Sequence, residues 1–177
     1  MNIWFTADHH FGHANIVALR RRPFADVSEM DEALIDHWNE AVRAEDEVWH
    51  LGNFAHRCGP NRRAEIFGRL RGAARHLVRG SLDRKHTSKL PWSSVQDYAE
   101  IVCGGQAIVL FHYPLQVWHR SRRGTWALHG SSEPGGALGS CAVGVDHWGF
   151  RPASFEDVAV RMRTTGDRGS PTCMPGR

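Results

Sequence analysis

Apolar positions in this chain come in short bursts whose spacing changes from strand-like to helical and back. Ile3-Trp4-Phe5-Thr6 is a continuous run of the kind a buried strand carries. Ala14 to Arg20 predicts a short helix, stopped before Pro23, whose ring cannot continue one. Ser28 suits an N-cap, because its hydroxyl can accept from free backbone amides, and Glu29, Asp31 and Glu32 suit the positive helix end. Met30, Leu34, Ile35, Trp38 and Val42 then recur at helical spacing to about Arg43, as core contacts do. Glu47 to Leu51 predicts a second strand. Asn61 to Leu70 predicts a second helix, with Ile66, Phe67 and Leu70 facing in and Gly72 ending it. Arg75 to Arg79 is a third strand. Tyr98 to Cys103 and Ala107 to Phe111 form a hairpin across Gly104-Gly105. Thr125 to His129 and Cys141 to Val145 read as later strands, and Phe155 to Arg163 as a final helix.

Strands and helices alternate early, and strand follows strand later. That order predicts a mixed α/β sandwich in one domain, residues 1–163. Residues 164–177 are rich in Gly, Pro and Ser and are expected to be a disordered tail. The net charge of +3 is too small to demand nucleic acid, and Arg20-Arg21-Arg22 and Arg120, Arg122 and Arg123 read first as solvated surface. Cys58, Cys103, Cys141 and Cys173 form no C-x-x-C pair, so they read as reduced structural thiols. No secretory signal and no apolar stretch of membrane-spanning length is present, which predicts a cytoplasmic protein with no membrane partner.

Five polar cassettes each follow a strand-like run: Asp8-His9-His10-Phe11-Gly12-His13, Gly52-Asn53-Phe54, Arg79-Gly80-Ser81-Leu82-Asp83-Arg84, Phe111-His112-Tyr113-Pro114, and Leu128-His129-Gly130-Ser131-Ser132-Glu133. Loops at the carboxyl ends of such strands are where ligand groups gather, so the five could converge. Asp8 and His10 stand two apart, and in an extended segment such residues point the same way. A hard oxygen and an imidazole suit Mn, Fe or Zn better than Ca. His9 and His13 read as local or substrate-facing groups.

The opening F-T-A-D-H-H-F-G-H-A-N-I resembles the first motif of the small calcineurin-like metallophosphoesterases. So do Arg22-Pro23-Phe24, the Met30-Asp31-Glu32 helix start, Val48-Trp49-His50-Leu51-Gly52 and the closing Val143 to Pro152. The resemblance covers roughly residues 1–163. It implies a four-layer αββα sandwich, two mixed sheets flanked by helices, and hydrolysis of phosphomonoesters or diesters with two metal ions and a bridging water or hydroxide. Two divalent ions about 4 Å apart repel by roughly 16 kcal/mol at an effective dielectric near 20. A bridging carboxylate relieves that repulsion, and the paired ions activate the nucleophile and clamp the phosphoryl oxygens.

Carried onto this chain, the family's pattern is unevenly filled. Asp8 and His10 stand at ligand positions of the first ion, and His112 at one of the second. Asn53 stands at the bridging aspartate, with an oxygen but no charge. Ser81 stands at the asparagine of G-N-H-D, and Leu82 at the histidine that would protonate the leaving group. Asp83 matches, as a supporting residue. In the last motif Ser131 and Glu133 stand at the two histidines, and Glu133 could serve the first ion. The resemblance thus implies a phosphate-ester ligand and one divalent ion rather than two. Weak or mononuclear hydrolysis is the first expectation. A catalytically inactive binding or protein-interaction module is the alternative, and nucleic-acid binding by the arginine clusters a third reading. Trp118, Trp126 and Trp148 read as core rather than as an interface.

Overall fold

The structure, a computed structural model, describes residues 1–83, 85–130 and 137–166. Its first half alternates as the periodicity predicts. Strand β1 (Ile3–Thr6) leads through α1 (Ala14–Leu19) and α2 (Val27–Ala41) to β2 (Glu47–His50). Then come α3 (Pro60–Arg69), β3 (Ala74–Val78), the single turn α4 (Lys85–Ser88) and β4 (Ser94–Gln96). The second half is strand-rich: β5 (Tyr98–Cys103), β6 (Gln106–Phe111), β7 (Trp126–His129), β8 (Ser140–Ala142), β9 (Ala153–Ser154) and the helix α5 (Phe155–Gly166).

Two mixed sheets result. The first has the order β4-β3-β2-β1-β9, parallel except for β9, which returns antiparallel to β1. The second has the order β5-β6-β7-β8, with an antiparallel hairpin β5-β6 and parallel β6-β7-β8. Side-chain alternation decides what each face touches. Phe5, Ala7, Trp49 and Leu51 from the first sheet meet Ile108, Leu110 and Leu128 from the second in one core between the sheets. Trp4 and Val48 point the other way, into a core with Met30, Leu34, Ile35, Trp38, Ile66 and Phe67 of α2 and α3. Burying each such side chain contributes about 1.5–3 kcal/mol. The far face of the second sheet, Val109 and Ala127, packs on Trp118 with Leu115 and Ala137. Helix α5 lies along β8, β9 and β1, and its Val158 and Met162 join the core between the sheets.

Several boundaries differ from expectation. The N-cap of α2 is Asp26, not Ser28: its Oδ1 accepts from the amides of Ser28 (2.8 Å) and Glu29 (2.9 Å), a charged acceptor where a hydroxyl was expected. The short strands β4 and β9 and the turn α4 carry no periodicity long enough to read. Cys141–Val145 is not one strand: β8 ends at Ala142 and Val145–His147 is a 3₁₀ turn. Helix α5 runs past Arg163 to Gly166, and the expected tail beyond it lies outside the described residues. No helix among the described residues is long and apolar enough to cross a membrane.

Candidate functional site

Parallel pairing puts the carboxyl ends of β1, β2 and β3 together and those of β6 and β7 together. Asn53 after β2 reaches His112 after β6 at 3.2 Å, so the two sets open on one place. The loop after β1 runs beside the loop after β2, tied by Asp8 N–H to Gly52 O (2.9 Å), His10 N–H to Asn53 O (3.0 Å) and Phe11 N–H to Phe54 O (2.9 Å). Of the seven non-glycine residues with positive φ among the described residues, Asp8 (58°), His10 (54°), Asn53 (57°) and Arg57 (54°) all lie in these two loops. Such backbone costs on the order of 1–3 kcal/mol per residue and gathers where side chains must be aimed.

The aim is inward. Asn53 Nδ2 donates to Asp8 Oδ1 (3.0 Å) and approaches His112 Nε2 at 3.2 Å. Its Oδ1 accepts from the Leu82 amide (3.0 Å), and the Ser81 hydroxyl donates to it more weakly at 3.5 Å. The Leu82 N–H needs an acceptor, so it fixes which end of the Asn53 amide faces Asp8 and His112. His112 Nδ1 donates to Leu51 O (2.6 Å), which leaves Nε2 as a lone pair turned to Asn53. The ring is hemmed in: a Cβ on Gly52 would stand 2.6 Å from Nδ1, and one on Gly80 2.7 Å from Cε1. His10 Nε2 lies 3.8 Å from Asp8 Oδ1. Asp8, His10, Asn53 and His112 therefore meet, as the cassettes implied.

Two buried ions of opposite sign hold the loops. Asp83 accepts from the amides of Asn53 (2.6 Å), Gly80 (2.8 Å) and Phe54 (3.0 Å). Arg22 was read from sequence as surface charge, yet it is buried. It donates to the carbonyls of Asp8 (2.6 Å) and His9 (2.9 Å) and pairs with Asp146 through Nε (2.9 Å) and Nη2 (2.8 Å). Both residues lie in segments that carry the family resemblance, and that was the one sequence signal for their pairing. His9 faces the core rather than a substrate. It stacks on Phe11 (5.1 Å) and its Nδ1 lies 3.0 Å from His50 Nε2. Since Gly52 N–H donates to His50 Nδ1 (3.2 Å), His50 donates to His9. His13 does stand near the site, with Nδ1 3.3 Å from His10 Nδ1 and its ring 4.5 Å from that of His56.

Burial governs the charge states. It pushes the Asp8 carboxyl up to about 7 against the opposing Asn53 bond, and the Asp83 carboxyl up against its three amides. It pushes His10 down to about 3, with Arg22 adding repulsion, and His112 down although its bond to the Leu51 carbonyl and the Asp83 charge oppose it. His50 is likewise held down to about 3. His10 and His112 are thus neutral and have lone pairs to offer.

Do these residues fit a metal? Asp8 Oδ1 and His10 Nε2, 3.8 Å apart, are close enough to share one ion at about 2.0–2.2 Å from each. His112 has the tautomer a ligand needs. Among the described residues, Asn53 and Ser81 would bring a second ion oxygen atoms but no charge. Among the described residues no three His, Cys, Asp or Glu side chains are grouped to hold a metal. Glu133 and Ser131 lie outside the described residues. His129 is buried at the end of β7, and Trp118 is buried core, while Trp126 and Trp148 are partly buried against the core between the sheets.

No family model matches the chain. An uncharacterized protein of Methanocaldococcus jannaschii is 30% identical over 128 residues, 72% of this chain and 67% of that protein. The Gene 66 protein of Mycobacterium phage D29 is 32% identical over 132 residues, 64% of this chain and 64% of the phage protein. The crystal structure of a protein of unknown function from Aquifex aeolicus is similar over 90% of this chain and 98% of that one, at a TM-score of 0.73 and 21% identity. That last likeness speaks for the fold alone. The chain belongs to the same family as the Methanocaldococcus protein.

Proposed function

We propose that this chain is a metallophosphoesterase-like protein, with its two sheets the middle of a four-layer αββα sandwich, that hydrolyses phosphate esters slowly with one divalent ion, Mn, Fe or Zn. The observation that carries the reading is the meeting of Asp8, His10, Asn53 and His112 from the ends of three different strands, within 3.0–3.8 Å of one another along the chain of contacts. Asp8 and His10 would hold the ion, which when bound supplies Lewis-acid polarisation of a phosphoryl oxygen and a more acidic water. His112 turns its Nε2 lone pair to the same place. Asp83 acts on the loop only, by fixing three amides. Leu82 cannot donate a side-chain proton, so esters with good leaving groups are favoured over those that need an acid.

One observation favours a second reading, a catalytically inactive phosphoester-binding module. The Asn53 amide already supplies hydrogens to Asp8 and His112, so it fills without metal part of the role that cations would have. Metal content of protein purified with added Mn, measured beside hydrolysis of an aryl phosphate and an aryl phosphodiester, separates the two. Slow turnover abolished by Asp8→Ala supports the first reading. Phosphoester binding with no metal and no turnover supports the second. Neither binding nor turnover overturns both.

A further inference from the structure

Beside the site, on the Leu82 side, lies an open cleft of about 380 Å³ lined by His56, Arg57, Arg63, Leu82 and His86 together with Ala55 and Thr87. No carboxylate is among these lining residues. We propose that this cleft binds a second phosphate-type dianion. The preferred ligand would then be an ester whose leaving group itself carries a phosphoryl group, or a polyphosphate.

Three observations lead there. The first is adjacency. Leu82 lines the cleft, and its amide donates to Asn53 Oδ1 at 3.0 Å, so cleft and candidate site share one wall. The rings of His10 and His13 (5.3 Å) and of His13 and His56 (4.5 Å) form a continuous row from Asp8's neighbour to the cleft. The second is pre-organisation. Arg63 anchors one guanidinium nitrogen on Cys58 O, while its Nε is buried with no hydrogen-bond partner. Arg57 is held at φ 54°, a conformation that a long side chain adopts only against a cost. The third is charge. Two guanidinium side chains, Arg57 and Arg63, line the cleft, with no carboxylate among its lining residues to offset them. The planar fork of a guanidinium suits two oxygens of a tetrahedral phosphate.

The assignment to the leaving-group side rests on the phosphoesterase reading, but anion binding by the cleft does not. Pyrophosphate and tripolyphosphate are therefore titrated into the full chain by calorimetry, without metal, at low salt. Arg57→Asn is the main variant, because asparagine tolerates the left-handed backbone, and Arg63→Gln is the second. Loss of one charge-assisted contact should weaken tripolyphosphate about tenfold for each variant, with a shallower salt dependence. Asp8→Ala should change it less than about twofold, since that carboxylate is not part of the cleft. Binding that ignores both arginine variants but changes severalfold with Asp8→Ala would place the anion at the Asp8 end and overturn the cleft, leaving the phosphoesterase reading intact. No measurable binding of either anion also overturns it. Binding lost with the arginines in a protein that shows no hydrolysis upholds the cleft and separates it from that reading.

Discussion

The loops after β1 and β2 lie side by side and share a backbone plan, yet they present different chemistry. Both bend through left-handed residues, at Asp8 and His10 in one and at Asn53 in the other. Both are held from below by a buried ion that bonds backbone groups: Arg22 takes the carbonyls of Asp8 and His9, and Asp83 takes the amides of Asn53 and Phe54. At the tip, the first loop offers a carboxylate and an imidazole, while the second offers a neutral amide. Loop geometry here is set by Arg22 and Asp83, buried behind the tips. A neutral tip can therefore sit on a fully built loop.

That comparison makes Arg22 the most sensitive point. Arg22→Met keeps the length of the side chain but leaves two carbonyls and Asp146 without their donor. Breaking a buried pair in this way costs about 3–5 kcal/mol. Urea denaturation should show a fall of that size, and Arg22→Lys should restore only part of it, because one ammonium cannot serve Asp146 in a fork and two carbonyls at once. A loss below about 1 kcal/mol would mean that the first loop is held by something other than its buried ion.

The second test acts on the tip alone. Asn53→Asp removes the amide hydrogens given to Asp8 and His112 and sets a carboxylate near the Asp8 oxygen that Asn53 now reaches at 3.0 Å. Without metal the variant should be less stable than the parent by about 1–3 kcal/mol, as expected when a buried acceptor loses its donor. With Mn at a hundredfold excess over its dissociation constant, mass action returns about 2.7 kcal/mol, so the order of stabilities should narrow or reverse. If Mn leaves the variant's thermal midpoint unmoved, the tip is not a place where charge alone is missing, and the mononuclear reading loses its basis.

Much of this arrangement was legible in the chain. Short apolar runs gave β1, β2, β3 and the β5-β6 hairpin, and parallel strands set their following cassettes on one side. That Asp8, His10, Asn53 and His112 meet follows from strand order. What could not be read was pairing at long range between single residues. Arg22 and Asp146 are 124 positions apart, and apart from the resemblance carried by Arg22-Pro23-Phe24 nothing marks Arg22 off from Arg20 or Arg21 as the buried one. His9 and His10 are likewise alike in sequence, but only the fold shows that one enters the core against Phe11 and the other the site. The caps failed for a nearer reason: Asp26 and Ser28 are both good N-caps two residues apart, and the backbone's entry angle chose between them.

The smallest expected effect concerns a buttress of the first loop that faces water. The Gly12 amide donates to Asp31 (3.0 Å), Arg62 lies 3.8 Å from that carboxylate, and Glu32 accepts from Arg62 (3.0 Å) and Arg69 (2.9 Å). The two arginines hold the Glu32 carboxyl down to about 2, from an ordinary value near 4.5. A carboxylate whose folded pKa is depressed adds stability that is fully present above its unfolded value and is lost as pH falls through the folded one. The window is thus about pH 4.5 to 2. Because Glu32 is 45% exposed, solvent screening reduces the gain to under about 1 kcal/mol. Glu32→Gln should therefore lower stability slightly at pH 6, and the gap to the parent should close as pH approaches 2. A cost at pH 6 rivalling that of Arg22→Met would erase the distinction between buried and exposed supports on which the comparison of the two loops rests.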